Sequence, residues 1–245
     1  MKKRWNPLKL GSLTFKGKRM FLKRFLSRRG FGIVLLAMLS GCAHEEKPYV
    51  ERPVSDLYTQ AYQQLQKRQF KEASDEFDEV ERQHPYSAWA AKAQLLSAFA
   101  SFKAQDFPRA IGTLDTFITL HPTHEAVVYA YYLRALCYYQ DILDVKKDAE
   151  NARLSLEAFN HLMTTFPSSA YARDARFKKD YVQHHLAAKE MDVARFYQKQ
   201  FKYVAAYNRF KGVVDHYSFT SYASEALYRL IEVSLALGLT QQARE

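Results

Sequence analysis

The residues with the clearest chemical assignment are Ser40, Gly41 and Cys42, near the N-terminus. Two small residues leave the backbone before the cysteine open to a peptidase, and the cysteine sulfur is a nucleophile that can accept a diacylglyceryl group. Several acyl chains hold a protein on a membrane, whereas a single chain gives only marginal binding. These residue types in this order therefore predict covalent lipid at Cys42.

The segment before Cys42 has the order of an export signal. The stretch up to Arg29 carries eleven Lys and Arg and no acidic residue, and an apolar run of residues 31–39 follows. That run is far shorter than the ~20 residues of a membrane-spanning helix. A basic region, a short apolar region and small residues are typical of a secretory signal peptide. Because the end of the segment resembles the lipobox of bacterial lipoproteins, residues 1–41 are predicted to be a lipoprotein signal peptide.

Two details of the leader stay open, while its surroundings indicate a destination. Met20 offers a second start that gives a leader of ordinary length, and Arg28-Arg29 suits twin-arginine export as well as the general route. Ala43 follows the cysteine, where aspartate is typical of retention in the inner membrane, so we expect the outer membrane. Residues 42–54 are polar and contain two prolines, which predicts a lipidated tether between membrane and domain.

The charge of the chain is concentrated in the leader. The formal net charge is +10, from 36 Lys and Arg against 26 Asp and Glu. The eleven basic residues before Cys42 are predicted to be removed, which leaves 25 basic against 26 acidic residues. Binding to nucleic acid depends on retained Lys and Arg that neutralise phosphates. A nucleic-acid partner is therefore not expected.

Beyond the leader, the sequence offers no residue arrangement that indicates catalysis or a metal site. His184 and His185 are adjacent and would point about 100° apart on a helix, whereas two ligands on one face need a spacing of about four. No Gly-rich phosphate loop, HExxH or GxSxG motif is present. Cys137 stands in an apolar pattern without a disulfide partner and is predicted to be a buried core residue. We expect a protein that is not an enzyme and that holds no metal and no cofactor other than its covalent lipid.

Four segments of the chain share one spacing. A small residue is followed four positions later by a large one, seven later by an apolar one, and twelve later by proline or serine. In three segments an alanine lies twelve positions before the small residue, and in the other the interval is twenty. The small positions are Ala73, Ala110, Ser155 and Ala206, and the upstream alanines are Ala61, Ala98, Ala135 and Ala194.

This spacing resembles the tetratricopeptide repeat, a helix–turn–helix unit of about 34 residues. Two helices can cross closely where both side chains are small, and the large residue one turn later fills the space toward the next unit. A proline ends the second helix because it cannot donate an amide hydrogen bond. Asp106 followed by Phe107-Pro108 is typical of a helix start. The predicted fold is all-α, a tetratricopeptide-repeat solenoid of about five units.

The same arithmetic divides the mature chain. Residues 55–125 are assigned to the first two repeats, residues 126–170 to the third with an insertion of eight residues between its helices, and residues 171–245 to the fourth and fifth. The fourth repeat is predicted to begin with a helix that is about four turns longer than usual. Gly238 is predicted to form the turn of the fifth repeat and Ala243 its small position, so its second helix would be vestigial or cut short.

The stretch HPTHEAVVYAYYLRAL, which begins at His121, carries the most specific resemblance to a known family. It resembles the pattern PTHPxxDYAxYxRGL of the BamD family of outer-membrane assembly lipoproteins, also called ComL-like. Val128 stands where that pattern has aspartate, which removes one ionic neighbour of Arg134. The matching residues are Pro122, Thr123, His124, Tyr129, Ala130, Tyr132, Arg134 and Leu136.

A second stretch, YNRFKG, keeps the family's NRxxG residues Asn208, Arg209 and Gly212. The resemblance implies a lipid-anchored scaffold on the periplasmic face of the outer membrane. Its implied partners are the periplasmic domains of a BamA-like barrel insertase, other assembly lipoproteins and unfolded outer-membrane protein precursors. The first repeats would recognise the precursor, and the last repeats, with Asn208 and Arg209, would dock the insertase.

The first helices of such repeats line a concave face, and in this sequence that face is rich in aromatic residues. Aromatic rings offer a large contact area, and lysines at the rim could bind a terminal carboxylate. An extended precursor tail that ends in an aromatic residue suits such a groove, although aromatic residues at helical spacing also pack between units. The hypothesised peptide-binding residues are Tyr58, Tyr62, Lys92, Phe99, Phe102, Lys103, Tyr129, Tyr132 and Arg134.

Two alternative functions remain compatible with the sequence. A repeat of this kind is a general docking device, so the chain could be another envelope lipoprotein that acts as an adaptor for peptidoglycan enzymes or proteases. A peptidoglycan-associated enzyme that depends on His184 is the third hypothesis. Recovery of the bound partners from membranes distinguishes the assembly scaffold from the adaptor, and an activity assay tests the enzyme hypothesis.

Overall fold

The computed structural model describes residues 50–142 and 149–241. The predicted leader, Cys42, most of the predicted tether, residues 143–148 of the insertion, and Ala243 lie outside the described residues. All the helices described below belong to the unit Glu51–Glu245.

Nine α-helices and no strands are present in the described part of the chain. The prediction of an all-α fold is therefore confirmed. In chain order the helices are α1 (Val54–Gln66), α2 (Phe70–Gln83), α3 (Ala90–Lys103), α4 (Phe107–Leu120), α5 (Val127–Gln140), α6 (Glu150–Thr165), α7 (Ala170–Lys199), α8 (Tyr203–His216) and α9 (Ala223–Ala236).

The helices form hairpin pairs that stack on one another. Each helix packs against the next along the chain, and the first helices of neighbouring pairs also touch, as α3 does with α5 and α5 with α7. The pairs are α1–α2, α3–α4, α5–α6 and α7–α8, and α9 begins the next unit. Stacking of each repeat on the next is characteristic of repeat solenoids, so the predicted tetratricopeptide-like architecture is confirmed.

The repeated spacing coincides with the core. All eight small residues of the pattern are fully buried, and so are the residues four and seven positions after the downstream small residue. Close helix crossing and burial of a large side chain one turn later thus occur in each unit, which supplies the hydrophobic stabilisation of the fold. The fully buried large and apolar residues are Phe77, Val80, Leu114, Phe117, Phe159, Leu162, Phe210 and Val213.

The second helix of each pair ends two residues before the proline or serine of the pattern. The residue between them leaves helical geometry, as His84 does with φ −134° and ψ 58°. This is expected because proline disfavours helical angles at the preceding residue. His84 still donates its backbone N–H to the Val80 carbonyl at 2.9 Å, so the last turn of α2 stays closed.

The turns that follow α1, α3, α7 and α9 each have a left-handed residue two positions after the end of the helix. In the first turn, Gln69 then donates its N–H to the Gln64 carbonyl at 3.0 Å, which closes the helix end. Gly238 occupies this position as predicted, whereas the exposed Phe201 sits there at a conformational cost of about 1 kcal/mol. The φ angles are 59° at Arg68, 62° at Gln105, 58° at Phe201 and 75° at Gly238.

Three further sequence predictions concern the length of α7, the start of α4 and the burial of Cys137. Helix α7 has 30 residues, so the long first helix of the fourth unit is confirmed. The carboxylate of Asp106 accepts a hydrogen bond from the Arg109 backbone N–H at 3.3 Å, which confirms the predicted cap of α4. Cys137 is a buried free cysteine, as predicted. No helix among residues 50–142 and 149–241 is long and apolar enough to cross a membrane.

Candidate binding surfaces

The first aromatic surface lies between α1 and α3. The rings of Tyr58 and Tyr62 are stacked with centroids 6.5 Å apart, and the indole of Trp89 lies 4.7 Å from Tyr58. The ammonium of Lys92 lies 5.7 Å from the centre of the Tyr58 ring. Tyr58 also contacts the core ring of Phe77 at 5.6 Å. Tyr58 is thus partly a packing residue, while Tyr62, which is 45% exposed, offers a free ring face.

A similar arrangement follows on α3. The ammonium of Lys103 lies 5.8 Å from the centre of the Phe99 ring, and Phe102 contacts Phe107 of α4 at 6.0 Å. Both rings of α3 are half-buried and Lys103 is exposed. A lysine above a ring keeps its charge in water while its stem covers apolar surface. The predicted rim lysines therefore do lie beside the predicted aromatic residues in the first two units.

A cluster of tyrosines joins α5 to α7. Tyr171 contacts Tyr129 at 5.6 Å and Tyr132 at 5.0 Å, and Tyr139 contacts Tyr181 at 5.6 Å. Because burial removes water from the phenol, the pKa of Tyr129 is raised to about 12. Tyr171 and Tyr181 keep exposed ring edges. We call these five residues the tyrosine groove.

One side of the tyrosine groove contains a hydrogen-bonded polar cluster that was not predicted from the sequence. The hydroxyl of Tyr132 donates to Asp174, and the Lys178 ammonium donates to the same carboxylate at 2.6 Å. Burial raises the pKa of Asp174, but the hydrogen bonds from Lys178 and Tyr132 outweigh it, so the pKa lies below its ordinary value. Burial, together with the bond to Asp174, raises the pKa of Tyr132.

The α7 side of the tyrosine groove was not among the peptide-binding residues predicted from the sequence. A usable signal was present, since Tyr171, Asp174, Lys178 and Tyr181 recur at intervals of three and four residues. That spacing places side chains on one face of a helix. The first half of α7 therefore belongs to the same surface as Tyr129 and Tyr132.

Replacing Tyr132 by phenylalanine should raise the pKa of Asp174 toward its ordinary value. A carboxylate with a depressed pKa stabilises the fold at a pH above its unfolded pKa, and this contribution is lost as the pH falls through the folded value. Without the Tyr132 hydroxyl, this contribution should be smaller and its loss should be complete at a higher pH. NMR titration of the Asp174 carboxyl measures the shift. Tyr129→Phe is the matched control, and an unchanged Asp174 pKa in Tyr132→Phe would refute the assignment.

Arg134 lies apart from the aromatic face to which it was assigned. Its guanidinium donates to Asp115 of α4 at 2.6 Å and lies 5.3 Å from the centre of the Tyr131 ring. Asp115 thus supplies an ionic neighbour in place of the aspartate replaced by Val128. Arg134 lines a groove of about 520 Å³ between α5 and α6. The structure therefore does not bring Arg134 together with Tyr129 and Tyr132, whose ring contacts are with α7.

Asn208 and Arg209 line the equivalent groove of the fourth unit. This groove, between α7 and α8, has a volume of about 540 Å³ and also contains Tyr197, Gly212 and His216. Arg209 donates to Glu190 of α7 at 2.9 Å. Since an ion pair at the surface contributes only about 0–1 kcal/mol, this one can be exchanged for another at small cost. The two predicted docking residues therefore share one open groove.

The imidazole rings of His121, His124 and His184 contact aromatic side chains. His184 contacts Phe219 at 6.4 Å, and His121 and His124 contact Phe117, each at 5.3 Å. Within the described ranges, no group of three or more His, Cys, Asp or Glu residues is arranged to hold a metal ion.

Comparison with known proteins gives one consistent result. The profile of the family described as "YfiO: Outer membrane lipoprotein" matches residues 50–245. The chain is 39% identical over 216 residues to the outer membrane protein assembly factor BamD of Caulobacter vibrioides. This match covers 86% of this chain and 71% of that protein. BamD of Rickettsia prowazekii is 39% identical over 87% of this chain and 85% of its own length. BamD of Neisseria gonorrhoeae is 31% identical over 84% of this chain and 82% of its own length. The chain belongs to the YfiO family of outer membrane lipoproteins.

Proposed function

We propose that this protein is a lipid-anchored scaffold that takes part in the assembly of outer membrane proteins. Family membership carries the proposal, because the most similar relatives reported above are named outer membrane protein assembly factors. The helical repeats support it, since stacked pairs expose extended surfaces on which several partners can dock. The anchor is the lipid at Cys42, which holds the scaffold at the periplasmic face of the outer membrane.

The concave aromatic surface binds unfolded outer-membrane protein precursors in this proposal. Tyr62, Tyr171 and Tyr181 keep exposed rings along the first helices of the units. Such rings offer apolar area together with a hydroxyl that can bond a peptide backbone. Lys92 and Lys103 are exposed over the rings of Tyr58 and Phe99 and can pair with a terminal carboxylate. Alternating aromatic and polar side chains of an extended barrel strand match this combination of groups.

Replacing Tyr62 by serine should weaken binding of a precursor-derived peptide by about 3- to 10-fold, the loss expected for one aromatic contact. Fluorescence anisotropy with a labelled C-terminal peptide of an outer-membrane barrel measures this change. Tyr86→Ser is the matched control, because Tyr86 is an exposed tyrosine of the α2–α3 loop that is not among the predicted peptide-binding residues. Equal affinities of the two variants and the parent would remove Tyr62 from the binding surface.

The outer groove of the fourth unit docks the barrel insertase in this proposal. Arg209 and Asn208 are exposed there, and the guanidinium can exchange its surface partner Glu190 for a carboxylate of the insertase. A planar guanidinium also binds a carboxylate through two parallel hydrogen bonds, which fixes the orientation of the partner. The smaller assembly lipoproteins would occupy the remaining surface of the last units.

Arg209→Glu should reduce recovery of the insertase by about tenfold, because a charge reversal removes the pair and adds repulsion. The measurement is affinity purification of the lipidated chain from detergent-solubilised outer membranes, followed by mass spectrometry. Lys211→Glu is the control, since Lys211 lies on the same helix with 51% exposure against 49% for Arg209. Equal recovery with Arg209→Glu and the parent would refute the docking role.

The same purification tests the function as a whole. Recovery of a β-barrel insertase with the parent chain is the expected result. Recovery of a peptidoglycan hydrolase or a protease without any insertase would overturn the proposal and favour the adaptor hypothesis.

A further inference from the structure

The predicted tether joins the solenoid at one edge. The first helices begin and the second helices end at this edge, because the two helices of a pair run in opposite directions. The residues just before α1 lie against the end of α2 through Arg52, whose backbone N–H donates to Gln83 at 2.8 Å and whose carbonyl bonds the His84 ring at 2.7 Å. The Arg52 guanidinium also donates to Glu76 at 3.0 Å. The chain therefore leaves the domain beside the α2–α3 loop.

The distance from this point to the lipid is limited by the chain itself. Ten residues separate Cys42 from Arg52, and even fully extended they span no more than about 36 Å. That reach is comparable to the thickness of a bilayer. Arg52 and the α2–α3 loop beside it are therefore held within about 36 Å of the lipid anchor.

The α2–α3 loop next to Arg52 exposes two aromatic residues. Tyr86 is fully exposed, and Trp89 is 41% exposed although its ring packs on Tyr58. Tryptophan and tyrosine favour the interface between membrane and water, where their rings enter the headgroup region and their polar atoms stay hydrated. The equivalent positions to Tyr86 in the next two loops are Thr123 and Ser168. The position of Tyr86 thus carries a large aromatic side chain in the loop nearest the tether and a small polar side chain in the following two loops.

The charge of this loop also suits a lipid surface. From His84 to Lys92 the sequence HPYSAWAAK contains no acidic residue, and Lys92 is exposed. Anionic headgroups attract nearby basic side chains and repel carboxylates. The following loop, by contrast, carries the exposed carboxylate of Glu125.

We propose that Tyr86 and Trp89 lie in the headgroup region of the membrane that holds the lipid of Cys42. Their insertion orients the solenoid on the membrane surface. The occupant of this surface is a phospholipid bilayer. The inference rests on the lipid anchor of the proposed function. It differs from the peptide surface described above, because it assigns the exposed edge of Trp89 to lipid.

Tryptophan fluorescence can test this orientation without an added label. It has two tryptophans, Trp5 and Trp89, and Trp5 lies in the predicted leader, so Trp89 alone reports from the mature protein. The lipidated protein is reconstituted into vesicles of phosphatidylethanolamine and phosphatidylglycerol that contain brominated lipids. We expect quenching and a blue shift of Trp89 fluorescence, and we expect Tyr86→Ser to reduce both.

The control moves the probe to the opposite edge. The double variant Trp89→Phe, Phe201→Trp carries its only mature tryptophan in the turn between α7 and α8, at a position that is 77% exposed. We expect no quenching by brominated lipid there. Equal quenching at both positions, or an unquenched Trp89, would overturn the proposal.

Two further outcomes separate this inference from the others. Protection of Trp89 from acrylamide by a precursor peptide, without quenching by lipid, would overturn it in favour of the peptide groove. Mass spectrometry of the same sample tests the anchor itself: an unmodified Cys42 would refute the anchor and this inference together, whereas a lipidated chain with an unquenched Trp89 would refute the orientation alone.

Discussion

Replacing Phe210 by alanine is expected to lower the free energy of unfolding by about 3–5 kcal/mol, the usual cost of removing a buried phenylalanine. Its ring is fully buried among Ala194, Ala206 and Val213, where α7 and α8 cross. The small residues around it cannot extend to fill the space. The fourth unit also joins the third to α9, so its loss would uncouple both neighbours. Urea denaturation followed by circular dichroism measures the effect.

Phe201→Ala is the control for this prediction. Phe201 is a phenylalanine of the same region, but its ring is exposed and its backbone is left-handed. Alanine at this position keeps the backbone cost and removes only exposed surface, so we expect a change within about 0.5 kcal/mol. Similar losses for Phe210→Ala and Phe201→Ala would contradict the register of the repeat.

Replacing Cys42 by serine is expected to abolish membrane attachment. A serine hydroxyl does not become the thioether that carries the diacylglyceryl group, and without it the mature domain loses about 0.8 kcal/mol of membrane affinity per methylene group. The variant should accumulate as an unprocessed or soluble form. Fractionation of outer membranes by density gradient measures this. Unchanged sedimentation of Cys42→Ser with outer membranes would refute the anchor.

Cys137→Ser is the control for the anchor. Cys137 is the other cysteine of the chain, and burial raises the pKa of its thiol to about 12. A buried thiol of that kind is protonated and unreactive. The variant should therefore keep its lipid and its membrane attachment, although a hydroxyl in the core lowers stability.

The fold could be read from the sequence because the repeat fixes which residues are small and which are large. Ala73 and Ala206 lie more than a hundred residues apart, yet both are fully buried at helix crossings. The proline positions likewise marked the ends of the second helices. Four copies of one spacing removed the ambiguity that a single amphipathic helix would have left.

The binding surfaces were only partly predictable, since each depends on contacts between helices that are distant in sequence. The ring of Tyr132 could be assigned to the concave face, but its bond to Asp174 joins residues 42 positions apart. Arg134 was assigned by its place in a motif, and the structure turns it toward Asp115 in another groove. The bonds that hold Arg52 against α2 had no signal in the repeat, because Arg52 precedes the first unit.

Depletion of the protein from cells, followed by quantitative mass spectrometry of isolated outer membranes, tests the central claim most directly. That claim is that the anchored solenoid serves the assembly of β-barrel proteins. We expect barrel proteins as a class to decline while lipoproteins of the same membrane remain. Unchanged barrel proteins, with defects confined to peptidoglycan, would contradict the account.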